Sequence, residues 1–427
     1  MKGRRNKVGK VLKIVGLVLG ALLVIVFIPR RIDKPIDKQI QADYSVADPA
    51  FRQAVGHLVS APLLPGNKVT PLINGDQIFP AMIDAMRGAQ KTITLENFIF
   101  RSGRLSGQLV PLLCEKARGG VKVNVIMDSM GCSKLKQPEV DALEEAGVQF
   151  VKYNRPEWHK LVRVNHRDHR KILVVDGRVG FTGGACLADE WLGNAETKEQ
   201  WRDTHFRVEG PAVAQLQGVF VANWIQTQNE VLHGPDYFPP LKSAGGMLSR
   251  SYRTGPDDGI EAARLVYLLS IAAARSHIRI AHSYFVPDAL VIDGLIKARQ
   301  RGVTVQIITP GIIDANVVRR ASRARWNELI EAGVEFYEYQ PSLFHCKVMI
   351  VDDVWVTAGT VNFDDRSFRI NDENTIEVWD KEFAAAQIEI FERDKAKSRH
   401  IPVGEYKARP WYVKSAELFA SFFRAWL

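Results

Sequence analysis

Two stretches of this chain repeat the same alternation of apolar and polar positions. In the first, Ile78–Gly88 has helical spacing, Thr92–Phe100 alternates as a strand, Gly107–Arg118 is an amphipathic helix and Val121–Asp128 is a buried strand ending in a carboxylate. Val140–Gly147 then predicts a helix stopped by glycine and Val148–Tyr153 a strand. The second stretch runs through the same order: helix Ile260–Arg275, strand Ile278–Phe285, helix Ala289–Arg301, strand Val303–Thr309, helix Trp326–Gly333, strand Val334–Tyr339. Local matches accompany the order: Arg118-Gly119-Gly120-Val121 answers Gln300-Arg301-Gly302-Val303, and Glu145-Ala146-Gly147-Val148 answers Glu331-Ala332-Gly333-Val334. Agreement of order and detail implies an internal duplication. Alternating strands and helices predict an α/β protein of two pseudo-symmetric lobes, each a mostly parallel sheet flanked by helices. The Pro- and Gly-rich segment His233–Gly259 marks the joint, giving a first lobe over 41–245 and a second over 246–427.

Residues 1–40 are different. Lys2, Arg4, Arg5, Lys7, Lys10 and Lys13 precede the uncharged run Ile14–Ile28, closed by Pro29-Arg30-Arg31. With Val11 included the run makes a helix of about 27 Å, near the roughly 30 Å of a hydrocarbon core. No small-x-small cleavage site follows, which favours an uncleaved N-terminal transmembrane anchor and tether over a signal peptide. The basic residues before the run favour the N-terminus inside, placing the body on the outer side of the cell membrane. At the other end, Leu418, Phe419, Phe422, Phe423, Trp426 and Leu427 form a helical apolar stripe. Packing on the body is its expected role and lying in a bilayer interface the rival.

Each repeat ends in the same polar cluster. His169, Lys171 and Asp176 recur as His345, Lys347 and Asp352, two copies of H-x-K-x4-D. A Gly-rich turn follows each: Gly183-Gly184 in the first, Gly359-Thr360-Val361-Asn362 in the second. One copy alone is weak evidence; two in matched surroundings are strong. On a strand, His and Lys two apart point the same way. Brought face to face, two imidazoles and two ammonium groups suit a phosphodiester, whose negative charge must be neutralised before a nucleophile can approach. One neutral imidazole would attack phosphorus and the other, protonated, would serve the leaving alkoxide. His169 is assigned as nucleophile and His345 as acid and base. Asn362 adds an amide donor, and Gly183, Gly184, Gly359 and Thr360 are candidate phosphate contacts. The lysines supply the electrostatics, so no metal or other cofactor is expected. His166 and His169 as an H-x-x-H metal pair lack a third ligand at usual spacing.

Charge and composition narrow this little. The chain has 427 residues and a formal net charge of +9, which suits nucleic acid, an anionic membrane surface or a phosphate-bearing substrate alike. Cys114, Cys132, Cys186 and Cys346 sit mostly in apolar contexts without a C-x-x-C pair and read as buried free thiols. The loop before His169 is longer than its counterpart and carries Arg155, Trp158, Lys160, Arg163 and Arg167, a combination that suits a lipid headgroup layer as well as a solvated loop. Arg319, Arg320, Arg323 and Arg325 crowd one helix, with a solvated face as the default.

The duplicated motif resembles that of the phospholipase D superfamily. Beyond it, residues 64–427 resemble bacterial cardiolipin synthases of that type. The likeness rests on Asn165-His166-Arg167-Asp168-His169-Arg170-Lys171, Trp201-Arg202-Asp203-Thr204-His205, Tyr284-Phe285-Val286-Pro287 and Asn362-Phe363-Asp364-Asp365-Arg366-Ser367-Phe368, among others. It implies transfer of a phosphatidyl group between two phosphatidylglycerol molecules with release of glycerol. Anionic phospholipid and membrane are then the partners, with no nucleic acid expected. Phospholipase D or nuclease chemistry with water as acceptor is the alternative. The resemblance also implies that a carboxylate downstream of each motif supports a catalytic histidine, and Asp203 and Glu373 stand at those places. Three departures accompany it: Cys186 where the family usually has Asn, Ser283 where Pro is usual, and one N-terminal span where many relatives carry two. The oligomeric state is not legible.

Overall fold

The computed structural model describes residues 36–154, 165–256, 261–313 and 316–421. The expected N-terminal span, residues 155–164 of the basic loop, and Phe422, Phe423, Trp426 and Leu427 lie outside them. No helix among the described residues is long and apolar enough to cross a membrane.

After helix α1 (Pro49–Val59), the first half contains β1 (Leu64–Ile73), α2 (Asn74–Gly88), β2 (Thr92–Asn97), α3 (Ser106–Arg118), β3 (Lys122–Asp128), α4 (Gln137–Glu145), β4 (Gln149–Tyr153), β5 (Ile172–Val175), β6 (Val179–Gly183), β7 (Thr204–Glu209) and α5 (Ala212–Gln228). The second half answers with β8 (Met247–Thr254), α6 (Ala262–Ala273), β9 (His277–His282), α7 (Ala289–Gln300), β10 (Thr304–Ile312), α8 (Asn316–Ala324), α9 (Trp326–Glu331), β11 (Glu335–Leu343), β12 (Lys347–Val351), β13 (Trp355–Gly359), α10 (Asp365–Arg369), β14 (Glu373–Trp379) and α11 (Lys381–Ala396). Strand β15 (Ser398–His400) and helices α12 (Val403–Lys407) and α13 (Trp411–Ser421) follow.

The fifteen strands among the described residues form one sheet, ordered β15-β11-β10-β9-β12-β13-β14-β8-β1-β7-β6-β5-β2-β3-β4. Read outward from the β8–β1 junction, the two halves give the same order, so a pseudo-twofold passes between those strands. The mostly parallel sheet expected from the sequence is corrected here. Only β2–β3–β4 and β9–β10–β11 pair in parallel; β5, β6, β7 and β1, and β12, β13, β14 and β8, run antiparallel. The crossover helices α3, α4, α7, α8 and α9 join the parallel strands, whereas β5–β6 and β12–β13 are joined by tight turns, which demand antiparallel pairing.

The matched Gly-Val steps now have a cause. Gly120 and Gly302 (φ 87° and 89°), like Gly147 and Gly333 (φ 90° and 87°), leave their helices in the left-handed region and aim the next valine into a parallel strand. Two apolar clusters fill the helix-covered face, one per half, and a third spans both halves under α5 and α11, joining Ile172 and Phe206 to Val348 and Ile376. Val46, Phe51 and Val55 pack into the second half's core beside α6. Helix α1 packs directly against α6.

Candidate active site

His169 and His345 each sit just before a short strand, β5 and β12. The backbone there is clamped by the other half: the His169 amide donates to the Asp372 carbonyl (2.9 Å) and the His345 amide to the Arg202 carbonyl (2.7 Å). The residues after those carbonyls supply the carboxylates. His169 Nδ1 lies 2.9 Å from both Glu373 oxygens, and His345 Nδ1 lies 2.8 Å from Asp203 Oδ2. Each histidine is thus held by the carboxylate of the opposite half. With Nδ1–H donating to an acid, Nε2 is the ring nitrogen left for chemistry. Lys171 Nζ donates to the His169 carbonyl (2.6 Å) and Lys347 Nζ to the His345 carbonyl (3.0 Å), so both ammonium groups stay beside the rings.

The four groups lie near enough for their charges to act on one another. Burial pushes the His169 imidazole well below its ordinary value, and the charges of Lys171, Lys347 and His345 push it the same way. His345 is also lowered, by burial and then by Lys347, against the opposing pull of Asp203. Lys347 falls to about 8 through burial, against Asp203. The carboxylates differ. Burial raises Glu373 to about 7, even though Lys171 and the Thr360, Ser367 and Asn371 side chains favour its anion. Asp203 resists burial: the His345 ring, Lys347 and the Trp191 indole hold it below the usual range. His345 therefore has the more anionic support, and His169 stands nearer neutrality.

The near symmetry breaks in the surrounding side chains. Phe98 packs edge-on against His169 (5.3 Å between centroids), while Trp191 and Trp201 flank His345 at 5.3 and 5.5 Å. Lys347 donates to Ser283 Oγ (3.1 Å), which donates to Asn362 Oδ1 (2.9 Å). Buried Cys186 stands where that amide would be in the first half. Sequence reading missed Phe98 and the two tryptophans. They lie far along the chain from the histidines they touch, and only the place of Trp201 two residues before Asp203 hinted at one of them.

Two expectations are corrected. Asp176 and Asp352 are not at the cleft. They close the opposite ends of β5 and β12 with left-handed backbones (φ 51° and 49°). Asp176 accepts from the Gln90, Lys91 and Thr92 amides and Asp352 from those of Arg275, Ser276 and His277. A carboxylate so saturated, a full strand away, fixes a strand start and does no chemistry. The turn residues Gly183, Gly184, Gly359 and Thr360 are likewise not phosphate cradles. The Gly184 amide is spent on Thr204 O and that of Thr360 on Asn374 O, while Gly183 and Gly359 end β6 and β13 against β7 and β14. A Cβ on Gly184 would stand 2.1 Å from Asp203 Oδ1. The small residues let the supporting carboxylates reach the rings, and the Thr360 hydroxyl itself donates to Glu373.

Duplicated lobes that share one sheet and each lend a His and a Lys to one site define the phospholipase D-like class. A family profile described as "Cardiolipin synthase, PLD-like domain" matches residues 82–224 and 267–395. Cardiolipin synthase A of Pseudomonas fluorescens is 37% identical over 369 residues, 86% of this chain and 76% of that protein. A cardiolipin synthase of Geobacillus kaustophilus is 35% identical over 361 residues, 83% and 72% of the two. The fold is shared with phosphatidylserine synthase of Haemophilus influenzae, at a TM-score of 0.63 and 15% identity, covering 88% of this chain and 100% of that one. The chain belongs to the cardiolipin synthase family of phospholipase D-like proteins.

Proposed function

We propose that this chain is a phosphatidyltransferase that makes cardiolipin from two molecules of phosphatidylglycerol. The observation that carries the reading is the crossed support of His169 by Glu373 and His345 by Asp203, which gives two like rings unlike carboxylate support. In the first step the neutral Nε2 of His169 attacks phosphorus. The bond to the headgroup glycerol breaks as His345 gives its proton to the departing oxygen. A bound phosphodiester lying between Lys171 and Lys347 offsets the cations that otherwise discharge His345, so the substrate itself favours the acid form. In the second step His345 takes the proton from a hydroxyl of a second phosphatidylglycerol. That oxygen attacks phosphorus, the P–N bond breaks and His169 is released. The sum is cardiolipin plus glycerol. Asn362, with its Oδ1 occupied by Ser283, would aim its Nδ2 at a phosphate oxygen.

Residues Ile14–Ile28 fit this reading as a membrane anchor, with the catalytic body on the outer side. Purified full-length protein given phosphatidylglycerol should yield cardiolipin and glycerol in equal amounts. Phosphatidic acid without cardiolipin would make the chain a hydrolase instead. For sidedness, alkaline phosphatase fused after residue 45 should be active in cells, and an inactive fusion would reverse the orientation.

A further inference from the structure

Helix α13 is amphipathic the wrong way round for a helix that ends a soluble body. Its one carboxylate, Glu417, is buried and ion-paired to Arg409 (2.6 Å) and Arg323 (3.7 Å), and Ala420 packs against Val286, Val318 and Ala321. Its large side chains face out: Trp411 is 78% exposed, Tyr412 62%, Leu418 59% and Phe419 65%. At 100° per residue Trp411, Tyr412 and Leu418 fall within about a third of the helix circumference. The sequence expectation that Leu418 and Phe419 pack onto the body is therefore corrected. With Glu417 neutralised inside, the charges left outward on α13 and on α8, which it packs against, include Lys414 and Arg320, while on α12 Lys407 is paired with Glu331 (2.9 Å) and Glu405 with Arg399.

The helix is also placed where a lipid must arrive. It lies on α8, which follows β10, and α8 and α13 pack on the segment Tyr284–Val286. That segment pairs with Phe363 (Phe363 N to Tyr284 O, 3.1 Å; Val286 N to Phe363 O, 2.9 Å). Its chain neighbours are Ser283 and Asn362, which bond each other beside Lys347. One layer of packing thus separates the outward aromatic face from the His345 half of the cleft. Trp and Tyr beside cations favour the headgroup level of an anionic bilayer. A protein partner would account for the apolar area but not for this pairing of belt aromatics with outward cations.

We propose that α13 is an interfacial docking helix: Trp411, Tyr412 and Leu418 enter the headgroup layer of an anionic bilayer and set the second-lobe side of the cleft against the surface that supplies its substrate. The inference rests on the phosphatidyl-transfer reading for its biological sense but not for its test. An environment-sensitive fluorophore on Leu418→Cys of the full chain, reconstituted in phosphatidylcholine vesicles with and without phosphatidylglycerol, should shift to the blue when the anionic lipid is present. The same label on Gln300→Cys, at the opposite end of the sheet, should not. The triple variant Trp411→Ser, Tyr412→Ser, Leu418→Ser should lose about tenfold of its turnover of vesicle phosphatidylglycerol while keeping that of a short-chain, monodisperse analogue within about twofold. An unshifted Leu418 label, equal losses on both substrates, or a label that responds only as the protein self-associates would overturn the proposal. Absence of cardiolipin with a lipid-responsive label would leave docking standing and remove the transferase reading instead.

Discussion

Asp203 and Glu373 occupy equivalent places yet differ in charge, and two predictions follow from that difference. Replacing Asp203 by Asn removes the anion that opposes the lowering of His345. The His345 ring then loses its proton at a lower pH, so the basic limb of kcat/KM against pH should move down by about one unit or more. Turnover near neutrality should fall about 10²–10³-fold. An unmoved basic limb would show that His345 is not the acid. Glu373 carries the opposite sign. Its carboxyl is raised from 4.5 to about 7, so the folded state holds the proton more tightly than the unfolded chain. Stability is lost as pH climbs through that window and the loss is complete above it. Glu373→Gln should therefore stabilise the protein by up to about 3 kcal/mol at pH ~8, and by little at pH ~4, while abolishing most activity. Urea melts at the two pH values check this; an equal shift at both would reject it. The site holds an ionisable acid at a cost to the fold because His169 needs an anion when it becomes a phosphorylated cation.

At the level of elements, the third residue of each motif has a structural task. Asp176 ties β5 to the loop leading into β2 through three backbone amides. Asp176→Ala should cost about 1–3 kcal/mol in denaturant melts, through unsatisfied amides and a left-handed backbone without a polar side chain. The kcat of the folded fraction should stay within about twofold of the parent. A large kcat loss with unchanged stability would return Asp176 to the chemistry. The sequence marked His, Lys and Asp as one unit because regular spacing along a strand says nothing about which end faces the substrate. The long parallel strands and their crossover helices were legible, since their runs are strongly periodic. The short antiparallel strands β6, β7, β13 and β14 were not, because five to seven residues beside glycine turns read as motif and loop.

Across the whole molecule, one sheet and one shared apolar cluster join the halves. The buried Arg202–Asp394 pair, at 2.7 Å, ties the segment carrying Asp203, just before β7, to α11 of the second lobe. The lobes are thus an evolutionary repeat without being independent folding units. Calorimetry of the full chain should show one cooperative transition for residues 36–421, with the van't Hoff and calorimetric enthalpies in agreement. Two resolved transitions would mean that the β8–β1 seam and the cluster beneath it contribute little.

The sequence by itself determined the duplication and the pairs His169–Lys171 and His345–Lys347, which are written in residue type and local spacing that a single chain displays directly. The family, and through it the supporting acids, came from the resemblance of longer stretches. Only the tertiary structure decided that each acid serves the histidine of the other half, that the glycine turns make room for those acids, and that α13 turns its aromatic side outward. Those facts depend on which strand lies beside which, and pairing across the β8–β1 seam is set by contacts between residues up to two hundred positions apart, a separation at which local periodicity carries no signal.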